Sequence, residues 1–177
     1  MDKISIYRQS AEVLGRHALD VIARMSSLEG SLGGLWREDG LKARRYVEAV
    51  RVNFQGTVAA KPVKGFFICA FHVFQVAQEL AQAIALKMGL SREMAQDREG
   101  VENVLGELLN IIIGLTCPDW AKIGLEIDFD PPEKLGGHHI EPMAEGARAY
   151  HLSINLPESR EISIFVNFIA PVVNVCP

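Results

Sequence analysis

Residues 101–115 constrain the fold of this chain most strongly, because their apolar side chains leave one narrow strip for solvent. An α-helix turns about 100° per residue, so each side chain can be placed around the axis. With Asn103 at zero, Glu107, Asn110 and Gly114 fall within roughly 40° of it. Nine apolar residues occupy the rest of the circle: Val101, Val104, Leu105, Leu108, Leu109, Ile111, Ile112, Ile113 and Leu115. The segment therefore predicts a helix that lies on a sheet with one side exposed.

Small residues accompany the polar strip. Gly100 and Gly106 lie at about 60° on either side of it, and Gly114 lies within it. A glycine inside a helix costs about 1 kcal/mol relative to alanine, which indicates that something approaches the backbone closely. We therefore predict partner contacts at Gly100, Asn103, Gly106 and Gly114. Glu107 and Asn110, three residues apart and neighbours on the helix surface, could act together on one target.

Length and composition limit the kind of protein and partner. The 177 residues, 49% of them hydrophobic, predict a single domain covering residues 1–177. A net charge of −4 and a pI near 5.7 give no reason to expect nucleic acid. We find no apolar run of about 20 residues and no apolar segment at the start, so we expect a cytoplasmic protein without membrane contact. Three widely spaced cysteines predict reduced, mostly buried thiols.

Helical and period-two patterns alternate along the first half of the chain. An amphipathic helix is predicted from about residue 2, where Asp2 can cap it, to about residue 25. The glycine-rich segment 26–40 is predicted to be an irregular loop, with Trp36 docking it or exposed at a contact. Strands are predicted at 45–55 and 66–71, joined by the turn AKPVKG, and a helix without a polar cap at 74–88.

The second half begins with the helix that carries the strip. It is predicted to start at residue 92 or 97 and to reach residue 116, with Pro118 fixing its end. A short strand then stops at Pro131 and Pro132, because proline cannot donate to a β-ladder. Two further strands, at 148–156 and 162–169, form a hairpin around PESRE. Without βαβ alternation, the order predicts an α+β domain, with a largely antiparallel sheet covered by helices.

The strip also matches a known signature. Glu107-x-x-Asn110 is preceded by Gly106, followed by Gly114, and then by a strand that ends in IDFDPPEKLGG. This arrangement resembles the CheC/CheX phosphatases of bacterial chemotaxis, and its single copy resembles CheX. Two positions depart from the family pattern, since Asn103 stands where aspartate or serine is common and Ile111 where methionine is common. The resemblance implies a CheC-like two-layer fold.

The resemblance also implies an activity. CheX-like proteins hydrolyse the aspartyl phosphate of a CheY-like response regulator. Asn110 would position the attacking water, and Glu107 would form an ion pair with the active-site lysine of the regulator. Mg²⁺ would sit on the regulator, so no cofactor is expected on this chain. A homodimer formed through sheet contacts is also implied. Two alternatives remain open: a non-catalytic module that binds a regulator, and a dimeric scaffold in two-component signalling.

Other candidate ligands favour simpler interpretations. His138 and His139 are adjacent in a loop, where neighbouring side chains point in opposite directions, and a third metal ligand is not evident. Asp128 and Asp130 share one face of a strand and could hold Mg²⁺, but a polar strand end is the better interpretation. We therefore predict no metal site.

Overall fold

The computed structural model describes residues 3–38, 46–135 and 148–169, in which helices cover an antiparallel sheet. The helices are α1 (Lys3–Ser26), α2 (Phe74–Lys87) and α3 (Arg98–Lys122), with a 3₁₀ turn at Arg92–Ala95. The strands are β1 (Ser31–Glu38), β2 (Glu48–Val58), β3 (Lys61–Phe71), β4 (Leu125–Phe129), β5 (Glu133–Lys134), β6 (Arg148–Leu156) and β7 (Arg160–Ile169). The predicted element order is confirmed, apart from the additional strands β1 and β5 and the 3₁₀ turn.

The sheet has the order β1-β6-β7-β3-β2-β4, with β5 beside β2, and each of these pairings is antiparallel. Apolar side chains of the three helices and of one sheet face form a common core. Burying one helix stripe and one sheet face against each other gives two layers. The predicted α+β class with an antiparallel sheet is therefore confirmed.

Strand β1 contradicts the predicted irregular loop at 26–40. It pairs with β6 at the edge of the sheet, with Trp36 opposite His151, and its register shifts between Leu32 and Gly34. The shift and the paired glycines hide the period-two pattern. The Trp36 ring covers Gly34, so that a Cβ at this position would displace the ring. Trp36 remains 47% exposed on this edge strand.

The hairpin of β2 and β3 is longer than predicted. The strands continue to Val58 and begin again at Lys61, so the turn is Ala59–Ala60 rather than AKPVKG. Both turn residues have positive φ, 47° and 60°, as in the two-residue turns that match strand twist. Alanine is an unusual residue for such a turn, and the sequence therefore gave no signal for it.

Helix α3 does not end where Pro118 predicts. Its start is confirmed at Arg98, where the Asp97 side chain accepts a hydrogen bond from the Gly100 N–H at 2.8 Å. The helix continues through Pro118 to Lys122. Beyond the proline, fully buried Trp120 donates from Nε1 to the Ser10 carbonyl at 2.9 Å. Tertiary packing thus holds the last turn despite the missing proline donor.

Helix α3 is long and apolar enough to span a membrane by length and composition alone, although the sequence contains no uninterrupted apolar run of that length. More than half of its most apolar window is buried inside the domain. Helices in the core of a soluble domain share this character.

Strands β6 and β7 lie inside the sheet. Strand β6 is flanked by β1 and β7, and β7 by β6 and β3. A homodimer formed through sheet contacts therefore cannot use the edges of β6 and β7, which are paired within this chain. Among the described strands, β1 forms one border of the sheet, and β4 with β5 form the other.

Candidate functional site

The predicted strip faces outward along α3. Asn103, Glu107 and Gly114 are exposed, and Asn110 is partly buried. The opposite side of the helix is buried in the core against the sheet and the other helices. The angular prediction from the sequence therefore places these four residues correctly.

Glu107 faces solvent, whereas Asn110 is partly buried. Glu107 forms no ion pair with any residue in the described ranges. The Asn110 Oδ1 is shielded from solvent and accepts no hydrogen bond from the described residues. A half-turn about the last side-chain bond exchanges the amide oxygen and nitrogen at nearly equal volume. Either amide group can therefore face a partner.

The three glycines have different surroundings. A Cβ at Gly100 would lie 2.1 Å from the Met94 carbonyl oxygen, and a Cβ at Gly106 would lie 3.0 Å from the Cβ of Pro132. A Cβ at Gly114 would meet nothing within 4 Å. The structure therefore corrects the interpretation of Gly100 and Gly106 as openings toward a partner, because they admit segments of their own chain. Gly114 faces open space.

An apolar surface continues the strip toward the end of the helix. Leu115 is 52% exposed, and Pro118 and Ala121 are also exposed. The sequence prediction that Leu115 belongs to the buried side is wrong, because Leu115 lies on the flank of the helix at about 120° from Asn103, whereas Thr116 and Trp120 remain buried. The strip is thus polar around Glu107 and Asn110 and apolar from Gly114 onward.

A buried pair of carboxyl groups lies under the first turns of α3. Glu48, at the start of β2, is 0% exposed, and Glu102 is 7% exposed. Arg98 Nε is 3.5 Å from Glu48 Oε2, with its guanidinium over the Phe74 ring. Glu102 lies about 100° from Asn103 and does not share the outer strip, contrary to the prediction that apolar residues occupy the rest of the circle. Sequence reasoning missed the pair, because its partners are 54 positions apart.

Burial raises the pKa of Glu48 to about 7, and the neighbouring negative charge of Glu102 raises it in the same direction, whereas Arg98 lowers it. No donor of the described residues has good hydrogen-bond geometry to the Glu48 oxygens, although the Ala49 N–H is near enough to lower the pKa. A proton shared between the carboxyl groups of Glu48 and Glu102 supplies a hydrogen bond to Glu48.

We expect Glu48→Gln to remove a pH dependence of stability. Folding raises the pKa of Glu48 from 4.5 to about 7, so its protonated form stabilises the fold below about pH 4.5 and this contribution is lost as the pH rises through 7. Glutamine imitates the protonated acid, so the variant should exceed the native chain in unfolding free energy by about 2 kcal/mol at pH 8 and match it near pH 4.5. Urea unfolding at both pH values checks this. An equal difference at the two values would contradict it.

The remaining candidate ligands do not form a site in the described residues. No group of three or more His, Cys, Asp or Glu is arranged to hold a metal ion in residues 3–38, 46–135 and 148–169. Asp128 and Asp130 are exposed at the end of β4. His138 and His139 lie outside the described residues. Cys69 and Cys117 are free thiols, and burial raises the pKa of both; Cys176 lies outside the described residues.

Comparisons with known proteins agree with this geometry. The family described as chemotaxis phosphatase CheX matches residues 62–154, just over half of the chain, including the whole strip. A search of curated proteins finds no match.

Solved structures with the same fold are similar over most of their length. A CheX-CheY-BeF3-Mg complex from Borrelia burgdorferi has 22% identity and a TM-score of 0.70, over 90% of this chain and 97% of that one. CheX from Desulfovibrio desulfuricans has 15% identity and a TM-score of 0.71, over 90% and 99%. CheX from Vibrio vulnificus has 20% identity and a TM-score of 0.70, over 90% and 99%. With its single Glu107-x-x-Asn110 motif on the exposed side of α3, the chain belongs to the chemotaxis phosphatase CheX family.

Proposed function

We propose that this chain dephosphorylates the aspartyl phosphate of a CheY-like response regulator, using the exposed strip of α3. The observation that carries the proposal is the presence of two polar side chains three residues apart on the strip. Glu107 is exposed and forms no ion pair with the described residues, and the Asn110 amide oxygen has no hydrogen-bond partner among them. A polar atom left without a hydrogen bond costs free energy unless a partner or solvent satisfies it. The half-turn of the amide brings its oxygen to the outer side, where docking of a phosphorylated regulator on the strip supplies that partner.

Asn110 positions the attacking water. An acyl phosphate is already reactive, so positioning and charge stabilisation are the main requirements of the catalyst. The amide oxygen accepts a hydrogen bond from a water molecule held in line with the bond to the aspartate carboxylate. The water oxygen then bonds to phosphorus as the bond between phosphorus and the aspartate oxygen breaks. The electron pair of that bond stays with the carboxylate, and inorganic phosphate leaves with both water protons. A neutral amide suits this role, because a carboxylate would repel the phosphoryl group.

Glu107 holds the regulator in place. It lies one turn before Asn110 and carries a charge that no described cation neutralises. An ion pair with the active-site lysine of the regulator brings that lysine, and the phosphoryl group near it, to the strip. The existence of a similar CheX structure in complex with CheY, BeF3 and Mg²⁺ supports a partner of this class.

The metal belongs to the partner in this proposal. Mg²⁺ prefers carboxylate and phosphate oxygens, which the regulator supplies at its phosphorylated aspartate. The strip itself requires no cofactor.

The test is to incubate the chain with a panel of phosphorylated receiver domains and to follow release of inorganic phosphate. We expect at least one receiver domain to lose phosphate faster than it does alone. Binding of the phosphorylated form without faster release would instead favour a non-catalytic binding module. The absence of both binding and faster release would overturn the proposal.

We further propose that the protein is a cytoplasmic homodimer. Strand β1 borders the sheet and exposes Leu32 and Trp36. An edge strand offers unpaired backbone groups to a second copy. Light scattering should therefore give about twice the 19.5 kDa mass of the chain. The mass of a single chain would contradict the dimer and leave the phosphatase proposal intact.

A further inference from the structure

An open cavity lies between the end of α1, helix α2 and the start of β7. Its volume is about 500 Å³, which is within the range of small-molecule sites. Three cationic side chains line it: Lys87 at the end of α2, Arg92 in the following 3₁₀ turn and Arg160 in β7. Glu79 is the one carboxylate among the described residues that line it. The cavity is therefore positive in a chain whose net charge is −4.

Glu79 does not cancel this charge, because its carboxylate is already occupied. Arg160 Nη1 donates to Glu79 Oε2 at 2.7 Å, and Gln75 Nε2 donates to Glu79 Oε1 at 2.9 Å. Lys87 and Arg92, by contrast, form no ion pair with any described carboxylate. Two cations without a counter-charge therefore line the same cavity.

The helix ends that border the cavity do not oppose an anion with free carbonyl groups. The end of a helix carries a partial negative charge on its last carbonyls, which repels anions. At the end of α1 the Ala23 carbonyl accepts a hydrogen bond from the Ser27 N–H at 3.0 Å, and at the end of α2 the Leu86 carbonyl accepts one from the Gly89 N–H at 3.1 Å. The Ser27 hydroxyl also lines the cavity and can donate. An anion therefore meets mainly hydrogen-bond donors there.

Part of the cavity wall is apolar. Ala83 and Leu86 of α2 both line it, and Leu86 is 46% exposed. Apolar surface of this kind is covered favourably by carbon atoms and gains nothing from an inorganic ion. A cavity of about 500 Å³ also has room for a molecule much larger than inorganic phosphate. The lining therefore fits an organic anion.

We propose that this cavity binds a small organic anion. Its carboxylate or phosphate groups contact Lys87 and Arg92 through charge-assisted hydrogen bonds. Its carbon skeleton lies against Ala83 and Leu86. The cavity is formed by α1, α2 and β7 and not by the strip on α3, so this site is separate from the one proposed for the response regulator and does not depend on it.

Citrate and glucose 6-phosphate are the probes, since one is a tricarboxylate and the other a phosphate ester. Calorimetric titration of the native chain at low salt should give a Kd below about 1 mM for at least one of them, and the anion that binds identifies the preferred charged group. Neutral glucose should not bind. Binding should weaken at about 0.5 M salt, because salt screens charges at an open site. Failure of both anions to bind would overturn the proposal.

Lys87→Gln and Arg92→Gln locate the binding site. Both residues are exposed, so the melting temperature should stay unchanged, whereas each variant should raise Kd about fivefold or more. Arg8→Gln is the matched control, because it removes an exposed cation of α1 that lies about 27 Å along the helix axis from Ser26, which lines the cavity. Its Kd should equal that of the native chain. Equal affinity in all three variants would show that the anion binds elsewhere and would overturn the proposal.

Discussion

Replacing Asn110 by alanine should nearly abolish dephosphorylation while leaving the affinity for the regulator close to that of the native chain. The methyl group cannot accept a hydrogen bond from the attacking water, and losing one preorganised polar group in a site of this kind typically costs about 100-fold or more in rate. Single-turnover decay of a phosphorylated receiver domain at saturating concentration would measure the rate. Binding of the receiver with beryllium fluoride would measure the affinity.

Two comparisons sharpen this experiment. Gln75→Ala is the matched control, because it removes an amide from an exposed position on α2 whose recorded partner is Glu79, and it should leave both quantities unchanged. Glu107→Ala should affect mainly the affinity, whereas Asn110→Ala should affect mainly the rate. We therefore expect Glu107→Ala to raise Kd and to change the saturating rate less than Asn110→Ala does. Unaltered decay with Asn110→Ala would show that water is positioned by another group and would refute the mechanism.

Alanine at two glycines of α3 should change stability in opposite directions. At Gly100 the new Cβ would lie 2.1 Å from the Met94 carbonyl oxygen, so backbone must move, and we expect a loss of about 3 kcal/mol. At Gly114 the Cβ meets open space, so the helical preference of alanine should add about 1 kcal/mol. For a chain of this length these changes should lower the melting temperature by roughly 6–12 °C and raise it by roughly 2–4 °C, respectively.

The same Gly114→Ala variant should bind the regulator less tightly despite its greater stability. Its Cβ would stand where a partner backbone approaches the helix. Thermal unfolding and the beryllium fluoride binding assay, done on one preparation, separate the two effects. Unchanged affinity would show that the partner does not come close to Gly114. A drop in the melting temperature of Gly114→Ala would contradict the open surroundings of that residue.

The outer strip could be predicted from the sequence because helical geometry alone decides it. Angles around the axis place Asn103, Glu107, Asn110 and Gly114 together, and they are together in the structure. The same angles do not reveal what lies against each side of the helix. To predict that Glu102 is buried, one must know that Glu48 lies beside it. The position of Glu48 follows from the pairing of the sheet and not from any local sequence pattern.

The functions of the glycines could not be predicted for a related reason. A glycine pattern shows that something comes close, but the neighbour can be the same chain or another molecule. Gly106 admits Pro132, which is 26 residues later, and Gly100 admits the 3₁₀ turn just before the helix. The end of α3 was also mispredicted, because the cost of Pro118 is local whereas the anchor at Trp120 is a tertiary contact.

Helix α3 is fastened along its length by the Asp97 cap, the Pro132 contact at Gly106 and the buried Trp120. A backbone fixed in this way has little conformational freedom left to lose when a partner arrives. The conformational entropy lost when the complex forms would therefore come mainly from the regulator, whose loops must become ordered against a rigid helix. Association of this kind should proceed without a folding step on the side of the phosphatase.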